Sequence, residues 1–222
     1  MSVIGLIVPS SNTVMEEDFH RRFQRPEVVT TTRIFLKDVT REAEMRMLSE
    51  ELPRALRLIA TAAPRIVVFG CTSAGSLGGV EHDSGIARSI EEVTGAMAIT
   101  VIGAVVNRLR TLGARRIAVF TPYSDGITQS VADCIVEAGF QVPKSSGMGI
   151  VNNREIGRVT PDEIVTFVER EIQGVEADCA FLSCTNWRAV EAREALRQRL
   201  GVPVIARNQA CIDEVLARGP LG

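Results

Sequence analysis

Val67-Val68-Phe69-Gly70-Cys71-Thr72-Ser73 returns later in the chain as Ala180-Phe181-Leu182-Ser183-Cys184-Thr185-Asn186. Each copy is an apolar run that ends in a small residue, a cysteine and a threonine. The separation is 184 − 71 = 113 residues in a chain of 222. A second pair keeps the same spacing. Ile4-Gly5-Leu6-Ile7-Val8-Pro9 aligns with Ile117-Ala118-Val119-Phe120-Thr121-Pro122, and 122 − 9 is again 113. Two independent segments in one register predict two halves of like structure. If those halves pack about a pseudo-twofold axis, equivalent strand ends face each other. Cys71 and Cys184 then stand on opposite sides of one cleft.

Around these segments, short apolar runs alternate with longer amphipathic ones. The strand candidates are 2–9, 28–35, 65–70, 97–101, 116–121, 140–142, 178–183 and 202–206. The helix candidates are 14–24, 41–62, 83–94, 102–112, 124–138, 161–173, 187–200 and 208–218. Such alternation predicts an α/β fold of parallel sheets flanked by helices. Thr160, Pro161 and Glu163 mark a helix start by side-chain capping, and Gly139 marks a helix stop. No Pro/Ser-rich linker separates the halves. The expectation is two lobes in close contact: residues 1–102 plus 207–222 carrying Cys71, and 103–206 carrying Cys184.

The apolar fraction of 45% and the charged fraction of 23% are those of an ordinary globular chain. A net charge of −2 argues against nucleic acid as a partner. No apolar run approaches a membrane span, and no leader pattern precedes the first strand, so the expected location is the cytoplasm. The five cysteines lack tight spacing, which argues against a disulfide framework. His20 and His82 are isolated, so no metal site is expected. Phosphate-loop and dinucleotide fingerprints are absent, and no cofactor is expected. The glycines from Gly70 to Gly79 read as a flexible loop beside a site.

Ligands of open α/β sheets bind beyond the carboxyl ends of the strands. Four polar segments fall there: Ser10-Ser11-Asn12-Thr13, Cys71-Thr72-Ser73, Tyr123-Ser124-Asp125 and Cys184-Thr185-Asn186. Cys134, Cys179 and Cys211 read as inert core, the common fate of cysteine. Cys71 and Cys184 differ because both sit just past a strand in a shared register, where a thiolate can be held. Tyr123, the only tyrosine, reads equally as a packed ring and as a donor into the cleft. Asn12 can cap the helix that follows, and Asn152 and Asn153 fit a turn. Trp187 reads as a packing residue.

These segments resemble the aspartate/glutamate racemase superfamily, and within it most closely the maleate cis–trans isomerase group. The resemblance is carried by Val8-Pro9-Ser10-Ser11-Asn12-Thr13, Phe69-Gly70-Cys71-Thr72-Ser73, Thr121-Pro122-Tyr123, Asn153-Arg154-Glu155-Ile156-Gly157 and Ser183-Cys184-Thr185-Asn186. It implies two pseudo-symmetric lobes, one catalytic cysteine from each, no cofactor, a small dicarboxylate substrate and, by analogy, a homodimer. It places Cys71, Cys184, Asn12, Tyr123 and Asn153 in the site, with Thr72, Ser73, Thr185 and Asn186 beside the thiols as substrate contacts. Arylmalonate decarboxylases typically keep only the second cysteine, so the presence of both disfavours that activity. Amino-acid racemases usually show Cys-Asn-Thr and Cys-Thr-Glu where this chain has Cys-Thr-Ser and Cys-Thr-Asn.

The chemistry expected from the resemblance is addition of one thiol to the maleate double bond, rotation about the resulting single bond, and elimination to fumarate. It assigns Cys71 as nucleophile and Cys184 as acid, with the roles open to exchange. The alternatives are a two-cysteine racemase of an Asp/Glu-type amino acid or derivative, an ectoine-degradation relative, and a non-catalytic dicarboxylate binder.

Overall fold

In the computed structural model, residues 2–218 are described. Met1 and residues 219–222, the tail of the expected first lobe, lie outside them. The first sheet contains β1 (Ser2–Pro9), β2 (Glu27–Ile34), β3 (Ile66–Phe69) and β4 (Met97–Thr100), in the order β2-β1-β3-β4. The second contains β5 (Arg116–Thr121), β6 (Gln141–Gly147), β7 (Cys179–Leu182) and β8 (Val204–Ala206), in the order β6-β5-β7-β8. Every pairing is parallel. β3 and β7 are buried along their whole length, as strands covered by helices on both faces must be.

The 113-residue repeat extends to individual pairings. Ile4 faces Ile66, and Ile117 faces Cys179; 117 − 4 and 179 − 66 are both 113. The Gly70 N–H donates to the Ile7 carbonyl at 2.8 Å, and the Ser183 N–H to the Phe120 carbonyl at 2.8 Å. Each of these bonds is the last rung before a cysteine, so the two thiols leave equivalent sheets at equivalent points.

The helices are α1 (Met15–Arg22), α2 (Arg41–Arg46), α3 (Leu52–Ala60), α4 (Thr72–Ser76), α5 (Gly79–Thr94), α6 (Val101–Thr111), α7 (Asp125–Glu137), α8 (Asn153–Ile156), α9 (Pro161–Glu171), α10 (Ala189–Leu200) and α11 (Arg207–Ala217). α9 carries the expected capping box, with Thr160 and Glu163 bonded reciprocally. α6 and α11 pack together, and α11 also touches α1, β4 and β8. One apolar cluster runs through both lobes, from Ile4 and Val68 to Phe120 and Phe181. Among the described residues no helix is long and apolar enough to cross a membrane.

Two stretches differ in kind from the sequence expectation. The helix over 41–62 is α2, a π-helical turn at Met47–Glu51, and α3. Pro53 has no N–H to donate to Ser49, and its ring crowds that carbonyl, so the chain widens before the proline. The Gly70–Gly79 stretch is no flexible loop. Its centre is α4, with Thr72, Ser73, Ala74, Gly75 and Ser76 all buried. Small side chains have weak helix propensity, but only they fit under α5 and α6: a Cβ on Gly75 would lie 2.9 Å from Asp83 Oδ1.

Gly147, the last residue of β6, controls the position of Tyr123. A Cβ there would lie 2.3 Å from the Tyr123 carbonyl oxygen and 2.5 Å from Thr128 Oγ1. The obstacle is largely backbone, which has little room to yield. Gly147→Ala is expected to cost about 2 kcal/mol of stability through overpacking, read as a lower denaturant midpoint with an unchanged slope.

Candidate active site

β3 and β7 each end two residues before a cysteine, and the segment after it turns into the seam between the lobes. Cys71 precedes α4, and the Ala74 N–H points back at its sulfur. Cys184 precedes a turn in which the Asn186 N–H lies 3.3 Å from its sulfur. Both thiols are 2% exposed. They sense each other, since charge on Cys184 adds to the upward shift of Cys71. Tyr123 follows β5, is buried, and feels both sulfurs, with its hydroxyl against Cys184.

The other residues singled out by sequence gather at the same seam, and most also tie the lobes together. Asn12 Oδ1 accepts from the Val14 and Met15 N–H groups, both at 3.0 Å, so Asn12 does cap the start of α1. Its Nδ2 reaches across to Thr185 Oγ1 at 3.0 Å, and that hydroxyl donates to the Gly70 carbonyl at 2.9 Å. Asn186 accepts from the Thr13 N–H at 2.8 Å and donates to the Asn153 carbonyl at 2.6 Å. Asn153 donates to Ser11 Oγ at 2.9 Å. The neighbouring Asn152 instead caps α8 through the Glu155 N–H and donates to Asp38. Asn153 is therefore the one that turns inward. Ser73 lies 4.0 Å from the Cys71 sulfur, and the buried Thr72 hydroxyl has no hydrogen-bond partner.

Two residues at the seam carry no cysteine-like motif and were missed in the sequence. Glu44, on α2, is fully buried, and neither carboxyl oxygen completes a hydrogen bond of normal geometry. The Ser73 hydroxyl lies close enough to favour its charged form, against the larger effect of burial. Its charge is felt by both Cys71 and Cys184. A signal existed: Glu44 lies three residues before Met47, on the buried face of its helix. Arg207, at the start of α11, is also fully buried. It donates to Ser183 Oγ at 2.8 Å and stacks 4.8 Å from the Phe181 ring centre. Next to it, Asn208 donates to Asp18 at 2.8 Å and to the Thr185 carbonyl at 3.0 Å, fixing the Cys184 turn on α1.

Burial, followed by the negative charge of Glu44, pushes Cys71 far above the ordinary thiol range. Burial raises Cys184 less, to about 11, because the Tyr123 hydroxyl, the Asn186 N–H and the Arg207 charge favour its thiolate. Glu44 is raised by burial to about 8, so it is a neutral acid at pH 7. Its repulsion of a thiolate therefore begins only above that range. Two thiols, a phenol and a neutral carboxyl facing one enclosed seam can carry out covalent and proton-transfer chemistry.

The chain from residue 4 to residue 220 matches the family model described as arylmalonate decarboxylase. It is 30% identical to a maleate isomerase of Geobacillus stearothermophilus, over 96% of this chain and 90% of that one. It is 27% identical to a maleate isomerase of Nocardia farcinica, over 96% and 88%. Among solved structures, it superposes with TM-score 0.89 on a cysteine-to-alanine variant of the maleate isomerase Iso from Pseudomonas putida S16 with maleate. That match is at 25% identity and covers 97% of this chain and 90% of the other.

Two measurements test the electrostatics of the seam. Glu44 ionises near its ordinary 4.5 in the unfolded chain but near 8 in the folded one. Its contribution to stability is thus complete below pH 4.5 and is lost as pH rises to about 8. Glu44→Gln, which never ionises, is expected to gain stability over the parent protein by on the order of 3 kcal/mol across that window. Denaturation at pH 5 and pH 8.5 reads the difference. Arg207→Met removes a cation that favours the Cys184 thiolate. The pH profile of Cys184 alkylation is expected to move upward by about one pH unit.

Proposed function

We propose that this chain, which belongs to the arylmalonate decarboxylase family with its maleate isomerase relatives, is a cofactor-independent isomerase that converts maleate to fumarate. The observation that carries this reading is the pair of cysteines at equivalent strand ends, facing one enclosed seam beside Tyr123. Arylmalonate decarboxylases typically keep only the second cysteine, whereas isomerisation uses two thiols for distinct tasks.

A cis double bond cannot rotate until its π bond is broken. Cys71, protonated in the resting seam, gives up its proton to water and adds as the thiolate to one olefinic carbon, forming a carbon–sulfur bond. The π electrons move toward the far carboxylate, and the other olefinic carbon takes a proton from Cys184. The resulting single bond rotates. The Cys184 thiolate then removes the proton, the carbon–sulfur bond breaks, and fumarate leaves with Cys71 again a thiolate. In the covalent state Cys184 carries the negative charge. Tyr123, the Asn186 N–H and Arg207 all favour that form of Cys184, which supports its role as the acid. Thr72 offers an unpartnered hydroxyl to the substrate. Asn12, Asn153, Thr185 and Asn186 hold the two halves at the spacing the substrate must fit.

Appearance of fumarate from maleate with native reduced protein, read from the separate olefinic proton resonances of the two isomers, is the direct assay. Serine is a poor nucleophile at neutral pH, so Cys71→Ser is expected to abolish turnover, by at least about a thousandfold, with the fold intact. Cys184→Ser is expected to block turnover as well, while accumulating an adduct at Cys71 heavier by one substrate, seen by mass spectrometry. An adduct on Cys184 alone reverses the roles. Near-native turnover in either variant removes the two-thiol mechanism.

A further inference from the structure

Glu44 is a buried carboxyl whose oxygens complete no hydrogen bond of normal geometry. A carboxyl retained for architecture is normally hydrogen-bonded on both oxygens, because an unsatisfied buried polar group costs stability. Here neither oxygen completes a hydrogen bond of normal geometry at 0% exposure, and the Ser73 hydroxyl beside Cys71 is the polar group that approaches it. The helix that carries it is held over the seam by both lobes. Arg41 donates to the Leu77 carbonyl at 3.3 Å, the Val39 N–H to the Val151 carbonyl at 2.8 Å, and Asn152 to Asp38 at 3.0 Å. The titratable groups that face Glu44 are Cys71 and Cys184. The charged residues of its own helix, Arg41, Glu42 and Arg46, are exposed, and none perturbs it.

We propose that Glu44 is a specificity-determining residue of this site: while neutral, its carboxyl donates a hydrogen bond to the substrate carboxylate that lies against Cys71, and once ionised it excludes anionic ligands. The proposal rests on the dicarboxylate reading above and adds the group that recognises one end of the substrate. A neutral acid and a carboxylate form a short, charge-assisted hydrogen bond. Two carboxylates in the same dry space repel strongly. The bound anion holds Glu44 protonated in turn, so ligand binding above pH 8 takes up a proton.

Two alkylating reagents of nearly equal size separate charge from access. Iodoacetate carries a carboxylate, and iodoacetamide is neutral. Both require the Cys71 thiolate, so the ratio of their rates at Cys71 cancels the thiolate fraction and reports the charge beside it. In the parent protein the iodoacetate-to-iodoacetamide ratio is expected to fall by roughly tenfold between pH 7 and pH 9. In Glu44→Gln and Glu44→Leu it is expected to stay flat. A flat ratio in the parent, or an equal fall in both variants, overturns the proposal. If Cys71 resists both reagents, succinate binding by calorimetry makes the same comparison. Its Kd should rise above pH 8 in the parent and not in Glu44→Gln, and absence of that difference overturns the proposal. Failure to turn over maleate would sink the isomerase reading alone, because the alkylation ratio reads Glu44 without turnover.

Discussion

Burial disfavours the charged form of every ionisable side chain at the seam, and this one penalty sets the behaviour of the rest. It keeps both thiols protonated, holds Glu44 neutral and lowers the pKa of Arg207. Covalent chemistry nevertheless needs a thiolate. The surrounding groups therefore matter in proportion to how much of that penalty each one offsets. Around Cys184 the offset comes from a phenol, a backbone N–H and a guanidinium. Around Cys71 it is limited to the Ala74 N–H and the Ser73 hydroxyl, with Glu44 opposing. The asymmetry is chemical, because the two strand ends are equivalent in register.

The same residues serve as architecture and as chemistry. Asn12 caps α1 with its oxygen and binds the opposite lobe with its nitrogen. Thr185 passes that link on to the carbonyl of Gly70, the residue before Cys71. A change at Asn12 would loosen the seam before it altered any contact with substrate. In such a site a loss of activity does not by itself identify a catalytic residue. A change in thiol reactivity or pH profile is the more specific sign.

The repeat of 113 residues was legible because strands covered on both faces must be apolar throughout, and two such runs in one register are hard to produce otherwise. Strand ends are marked by that apolar run, so the positions of Cys71, Cys184 and Tyr123 followed from it. The apolar pattern predicts a strand over only 140–142 where β6 runs Gln141–Gly147, because an edge strand tolerates Pro143, Lys144 and two serines. α4 was hidden because Thr-Ser-Ala-Gly-Ser has the local preferences of a loop, and packing overrides them.

By itself the sequence determined the α/β alternation, the paired strand ends with a cysteine after each, and the α9 capping box. Each of these is encoded by neighbours in the chain or by an internal repeat. Only the tertiary structure decided that Asn153 rather than Asn152 turns inward, and that Glu44 and Arg207 belong to the seam. An isolated Glu or Arg in an amphipathic helix looks the same whether it faces water or a thiol. The difference lies in desolvation, a property of what packs around the residue, and the packing partners here lie more than twenty residues away along the chain.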